Sequence, residues 1–270
     1  MALVPGIFSH LRHAARQKQA FGGETMGFRH AFIIFDCFKR GIMKKQVVIL
    51  AAIIAAAVSC GSKEGFTERE KEIINGQEGP MYVTVINDPE DSVILRTPSL
   101  PLTKKMLESP EFKALAEKML ITVNDPSQDG VGIAAPQVGI NRRLAWVMRY
   151  DKEGKPFELF PNLVIESRFG EMTHGPEGCL SVPPKRGLVP RYSSVIISYT
   201  DPSTLEPARD TISGYTAIIF QHECDHLDAT LYIDRADTVF ISESWVAERD
   251  SFERAGAYLK PEVMKSTKNR

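Results

Sequence analysis

Apolar residues recur along this chain with two periods, which divide it into helical and extended stretches. From Glu111 to Val123 they fall at Phe112, Leu115, Ala116, Met119, Leu120 and Val123, the spacing of one helix face, and Pro110 precedes them where proline suits a helix start. A second helix is predicted from Thr216 to Leu227, with Ala217, Ile218, Phe220 and Cys224 apolar and Gly214 just before it. A last amphipathic stretch runs from Ser242 to Leu259, with Ser242 as N-cap. Between these lie β-like runs at Ser92 to Leu95, Leu144 to Met148, Leu163 to Ile165, Leu188 to Val189 and Val195 to Tyr199. Turn signals at Asp151-Lys152-Glu153-Gly154 and Asp201-Pro202-Ser203 separate some of them. Strands in a block with few helices, and no internal repeat, predict an α+β domain.

The first sixty residues read differently. Met43-Lys44-Lys45 is followed by twelve apolar residues from Val47 to Val58 and then by Ser59-Cys60. That order matches the basic start, short apolar core and small-residue cleavage site of a signal peptide, and the run is too short to span a bilayer, which takes roughly 20 residues. A Cys directly after the small residues resembles the bacterial lipoprotein signal, which implies a lipid-modified Cys60 and membrane attachment; a cytoplasmic form made from a downstream start is the alternative. Residues 1–59 are then an upstream segment and signal, with residues 1–42 ahead of the true start. Residues 60–91, polar and without sustained periodicity apart from a short helix-like stretch over Thr67 to Ile74, read as a tether, and 92–270 as the folded domain.

Charge narrows the partners. Eight of the 33 basic and two of the 34 acidic residues precede Cys60, which leaves 25 against 32 and a net charge near −7 for the rest. Such a surface argues against nucleic acid as a partner. Four cysteines, irregularly spaced, do not make a disulfide framework for 270 residues.

The chemistry concentrates at His222-Glu223-Cys224-Asp225-His226. Residues four apart share a helix face, so the two imidazoles can converge on one metal ion while Glu223 handles the protons of a water. A catalytic site normally has a third protein ligand. A metzincin is excluded, because Ala229 and Tyr232 stand where its Gly and third His belong. A thermolysin-like glutamate, Glu243 or Glu248, and the thiolate of Cys179 both remain open. Cys224, two residues from His222, faces away from the metal.

Three blocks in order, Gly130-Val131-Gly132-Ile133-Ala134-Ala135-Pro136-Gln137, Glu177-Gly178-Cys179-Leu180-Ser181 and the His-Glu-x-x-His helix, resemble the three signature motifs of peptide deformylases. The resemblance covers about residues 92 to 260. It implies a deformylase-like fold, with antiparallel or mixed sheets around a central metal-binding helix. It also implies a divalent metal, ferrous iron or zinc, on Cys179, His222 and His226, with Glu223 as base and then acid. Gln137 and the Leu180 N–H are the implied oxyanion donors, and N-formyl-methionyl peptides the implied substrate, lying extended beside Gly132, Ile133 and the loop at Glu177. The implied methionine pocket includes Ile133 and Ile218, and Arg191 is expected to pair with Glu177 to hold the Cys179 loop. Two departures stand out, Leu163 after Asn162 where the family usually has Pro, and Ala229 where it usually has Gly. A general zinc peptidase and a lipid-anchored peptide-binding protein without turnover are the competing functions.

Overall fold

The computed structural model describes residues 64–76, 78–126 and 130–243, all within one compact unit, Lys63–Arg270. Residues 1–63, with the signal and Cys60, and nearly all of the expected helix from Ser242 to Leu259, lie outside the described residues.

Four helices open the unit: α1 (Glu68–Asn75), α2 (Pro89–Leu95), α3 (Lys104–Leu107) and α4 (Pro110–Val123). A three-stranded antiparallel sheet follows, β1 (Gly132–Ala134), β2 (Leu144–Met148) and β3 (Phe157–Pro161), with a single 3-10 turn at Ala135–Val138 after β1. The second sheet is built on a long hairpin, β4 (Val164–Gly178) against β5 (Lys185–Thr200). Strand β6 (Pro207–Ser213) pairs with the far half of β5, and β7 (Thr238–Ile241) with its near half. Helix α5 (Tyr215–Leu227) packs its Ala217, Phe220, Cys224 and Leu227 into a core with Ala145 and Val147 of β2 and Val195 and Ile197 of β5. The expected α+β class and central helix are what is found.

Three expectations are corrected. The stretch 64–91 is not a tether. A capping box between Thr67 and Glu70 starts α1, and Phe66, Ile73, Ile74 and Met81 are buried with Leu115 and Met119 of α4. Polar residues dominate this segment because only one narrow stripe faces the core. The run Ser92 to Leu95 is helix rather than strand. Asp88 caps it through the N–H groups of Glu90 and Asp91, and Pro89 occupies its first turn, which together outweigh the β preference of Val93 and Ile94. Finally, Leu188-Val189 and Val195 to Tyr199 are parts of one strand, β5, which runs through Pro190.

Candidate metal centre

Two turns of α5 supply one wall of the site. His222 and His226 stand one turn apart on one face of it, His226 buried and His222 half-buried, and Cys179, directly after β4, meets them from the second sheet. Among the described residues these three form a group whose ligand atoms all lie within 4.8 Å of one another. Cys179 Sγ lies 3.2 Å from His226 Nε2. Glu243, one of the competing third ligands, is exposed and not part of the group, and Glu248 lies outside the described residues.

A carboxylate behind the ligands fixes their orientation. His222 Nδ1 lies 2.8 Å from Glu177 Oε2, which leaves Nε2 for a metal. Arg191 grips Glu177 with two bonds, Nε to Oε1 at 2.7 Å and Nη2 to Oε2 at 2.9 Å, as expected of that pair. The same guanidinium also donates to Asp225 Oδ2 at 2.6 Å, and Arg235 donates twice more to Asp225. Sequence reading missed Asp225, whose partners Arg191 and Arg235 lie outside the helix and share no spacing with it. Burial works against the charge on Glu177, but Arg191 and His222 outweigh it and hold the carboxyl down at about 2. Its side chain thus spans Arg191 and His222.

Charge around the ligands suits a cation. Burial disfavours a protonated His222, yet the Cys179 sulfur and Glu177 outweigh it and raise its pKa well above the ordinary value. Burial, with His222 and Arg191 nearby, keeps His226 neutral. Two buried atoms of the site have no hydrogen-bond partner among the described residues, His226 Nδ1 and Glu223 Oε2. One thiol, two imidazoles and an orphaned carboxylate oxygen beside them fit a divalent metal together with a water.

Glu223 is buried, and desolvation pushes its carboxyl up to about 7. A bound cation would draw that value back down. Gly132 lies against it: a Cβ there would sit 2.9 Å from Glu223 Cδ and 3.0 Å from Ile219 Cγ2. Gln137 stands in the 3-10 turn with its Oε1 accepting from Ala134 N at 2.9 Å. That bond turns the amide so that Nε2 faces the site, 3.6 Å from Cys179 Sγ and 3.4 Å from Ser181 Oγ. Leu180 is half-buried and Ile218 half-buried, while Ile133 is fully buried in the first core and offers no open surface.

A thiol and two histidines around a buried glutamate, with an amide donor opposite, define a metal-dependent hydrolase site. The sequence profile described as Polypeptide deformylase matches residues 81–240, and the chain belongs to that family. It is similar to Peptide deformylase 2 of Bordetella bronchiseptica, 40% identical over 135 residues, 47% of this chain and 74% of that protein. Peptide deformylase of Leptospira biflexa is 36% identical over 149 residues, 53% of this chain and 82% of the relative. Among solved structures, the class I type b peptide deformylase of Acinetobacter baumannii bound to actinonin matches with a TM-score of 0.52 and 32% identity, covering 59% of this chain and 100% of that one. The same enzyme bound to Met-Ala-Ser matches at 0.52 and 33%, over 59% of this chain and 99% of the other.

Proposed function

We propose that this protein removes the formyl group from N-formyl-methionyl peptides through Glu223, Gln137 and the Leu180 N–H, at a metal held by Cys179, His222 and His226. The observation that carries the reading is Glu223, a buried carboxylate with one unpartnered oxygen, set beside the three ligand side chains. A bound divalent cation supplies Lewis acidity, lowering the pKa of water from about 15.7 toward 7. Thiolate with imidazole suits ferrous iron and zinc.

Glu223 accepts a proton as water adds to the formyl carbon. The Gln137 amide, already turned inward by its bond to Ala134 N, and the Leu180 N–H receive the charge that develops on the formyl oxygen. Glu223 then returns the proton to the amine nitrogen as the C–N bond breaks, leaving formate and a free methionyl N-terminus. The peptide lies extended beside β1, in the manner of an added strand. The Met-Ala-Ser complex of the Acinetobacter relative supports a peptide of this kind.

Formate release from N-formyl-Met-Ala-Ser by the full-length chain, purified anaerobically, tests the reading. Glu223→Gln keeps its metal and loses about 10²–10⁴-fold in kcat, and Cys179→Ala loses metal and activity together. A parent protein that holds metal yet releases no formate would overturn it.

The stretch from Met43 to Cys60 supports a further element, attachment to a membrane through a lipid-modified Cys60. Growth with a labelled lipid precursor should label the wild-type chain and not Cys60→Ser; absence of label in both favours the cytoplasmic alternative.

A further inference from the structure

The two groups aimed at the formyl oxygen arrive from different sheets, and one short extended segment bonds to the backbone of both. Gln137 sits in the turn that follows β1, whereas Cys179, Leu180 and Ser181 follow β4. Thr84 N donates to Gln137 O at 2.8 Å, and Ile86 N to Ser181 O at 2.8 Å. In an extended chain alternate N–H groups point the same way, so residues 84 and 86 address one side while Val85 N turns to the opposite side, to Asp91 Oδ2 at 3.0 Å.

Thr84 contributes twice. Its Oγ1 donates to Pro136 O at 3.0 Å, so one fully buried residue holds two successive carbonyls of the Gln137 turn. The side chain of Ile86 packs with Cys179, Val182 and Tyr232. Upstream, the segment is fixed by Met81 N to Thr122 Oγ1 at 2.8 Å, and α1 is fixed by Glu70 on Arg142, 2.6 and 2.9 Å, where the loop carrying Gln137 ends.

From these contacts we infer that residues 81–86 form a strap that sets the spacing between Gln137 and the Cys179–Ser181 loop, with Thr84 as its positioning residue. The inference rests on the deformylase reading, because that spacing matters only if both loops serve one oxyanion. A hydrogen-bond donor preorganised for the transition state loses its value when displaced by a fraction of an ångström, while ground-state binding of the peptide is little affected. The strap should therefore act on kcat and not on KM. It also makes the chain directly downstream of α1 part of the catalytic frame.

Thr84→Val keeps the volume and removes the bond to Pro136 O. In the metal-loaded full-length chain, with formate release from N-formyl-Met-Ala-Ser as the readout, kcat should fall about tenfold, a fraction of the roughly hundredfold that loss of a whole oxyanion donor produces. KM and metal content should stay within about twofold, and Thr84→Ser should recover the parent kcat to within about twofold, since it restores the donor. Should Thr84→Val not accumulate as folded protein, Thr84→Ala, which leaves room for a water at the Pro136 carbonyl, carries the same expectation. An active parent with unchanged kcat in these variants, a loss that follows folded fraction or metal content, or a loss that Thr84→Ser does not repair overturns the strap. A parent without formate release fails the deformylase reading itself, a distinct result.

Discussion

Gly132 and Glu223 are in such close contact that no side chain fits between them: a methyl group on Gly132 would lie 2.9 Å from the carboxylate carbon. The glycine is required by the neighbouring carboxylate, since its own backbone is that of an ordinary strand residue in β1. Gly132→Ala should therefore push Glu223 aside. A displacement near 1 Å corresponds to about a hundredfold in rate, so kcat should fall on that scale while metal content is retained. Single-turnover measurements with metal analysis check this, and an Ala variant with parental kcat would show that Glu223 has room elsewhere.

Arg191 should matter more for metal than its distance from the ligands suggests. Its removal takes the two-pronged partner from buried Glu177 while Asp225 keeps Arg235, so the cost lies toward the lower end of the about 3–5 kcal/mol of a broken buried pair. It also frees Glu177 to leave His222, and loss of such an outer partner typically weakens metal binding about 10–100-fold. Arg191→Ala and Arg191→Lys should both show these losses, because a single ammonium cannot match the two-pronged bond to Glu177 and reach Asp225 as well. Chelator competition and denaturant unfolding separate the two effects. Unchanged metal affinity would sink the assignment.

The link between Glu70 and Arg142 sets a pH dependence of stability. Burial opposes ionisation of Glu70, but two bonds from Arg142 and one from Thr67 N outweigh it and hold its pKa below the ordinary value. A carboxyl depressed on folding stabilises fully above its unfolded pKa, about 4.3, and that contribution is lost as pH falls through the folded value. Wild type and Glu70→Gln should thus differ by about 1–3 kcal/mol at pH 7 and converge below pH 4. Urea unfolding at a series of pH values measures the difference; curves that stay parallel into acid would refute the linkage.

Ala229 occupies a position suited to glycine. It follows α5 with φ of 58°, the left-handed region, where a Cβ costs roughly 1–2 kcal/mol. Ala229→Gly relieves that strain at the expense of some chain entropy, for a net gain of up to about 1 kcal/mol and roughly 2–4 °C in Tm. Calorimetry on the pair decides it, and a lower Tm for the glycine variant would mean that the alanine methyl makes compensating contacts.

What the sequence disclosed followed from how local the information was. Helices α4 and α5 each show a sustained apolar period, and His222, Glu223 and His226 are ligand-spaced on one of them, so element and chemistry were visible together. Strand β4 showed almost nothing, because fourteen of its fifteen residues are exposed or half-exposed and its support is hydrogen bonding to β5 rather than burial of an apolar face. Asp225 and Thr84 were invisible for a different reason. Each acts through partners far along the chain, Arg191 and Pro136, and no spacing rule joins such positions. The helix at α2 was misread because Val93 and Ile94 favour strands, whereas Asp88 and Pro89, which decide the matter, lie just outside the apolar run.

Helix α5 carries the ligands on one side and a share of the core on the other, with Phe220 fully buried two residues before His222 and Leu227 fully buried directly after His226. Metal and fold are thus written on the same thirteen residues, and binding free energy gained at the ligands is spent holding the helix against both sheets. Depletion of the ion then has two effects, first on turnover and then on the survival of the chain, since the apo form opens more often to proteases. The abundance of this protein in a cell should rise and fall with the supply of its metal, even at constant synthesis.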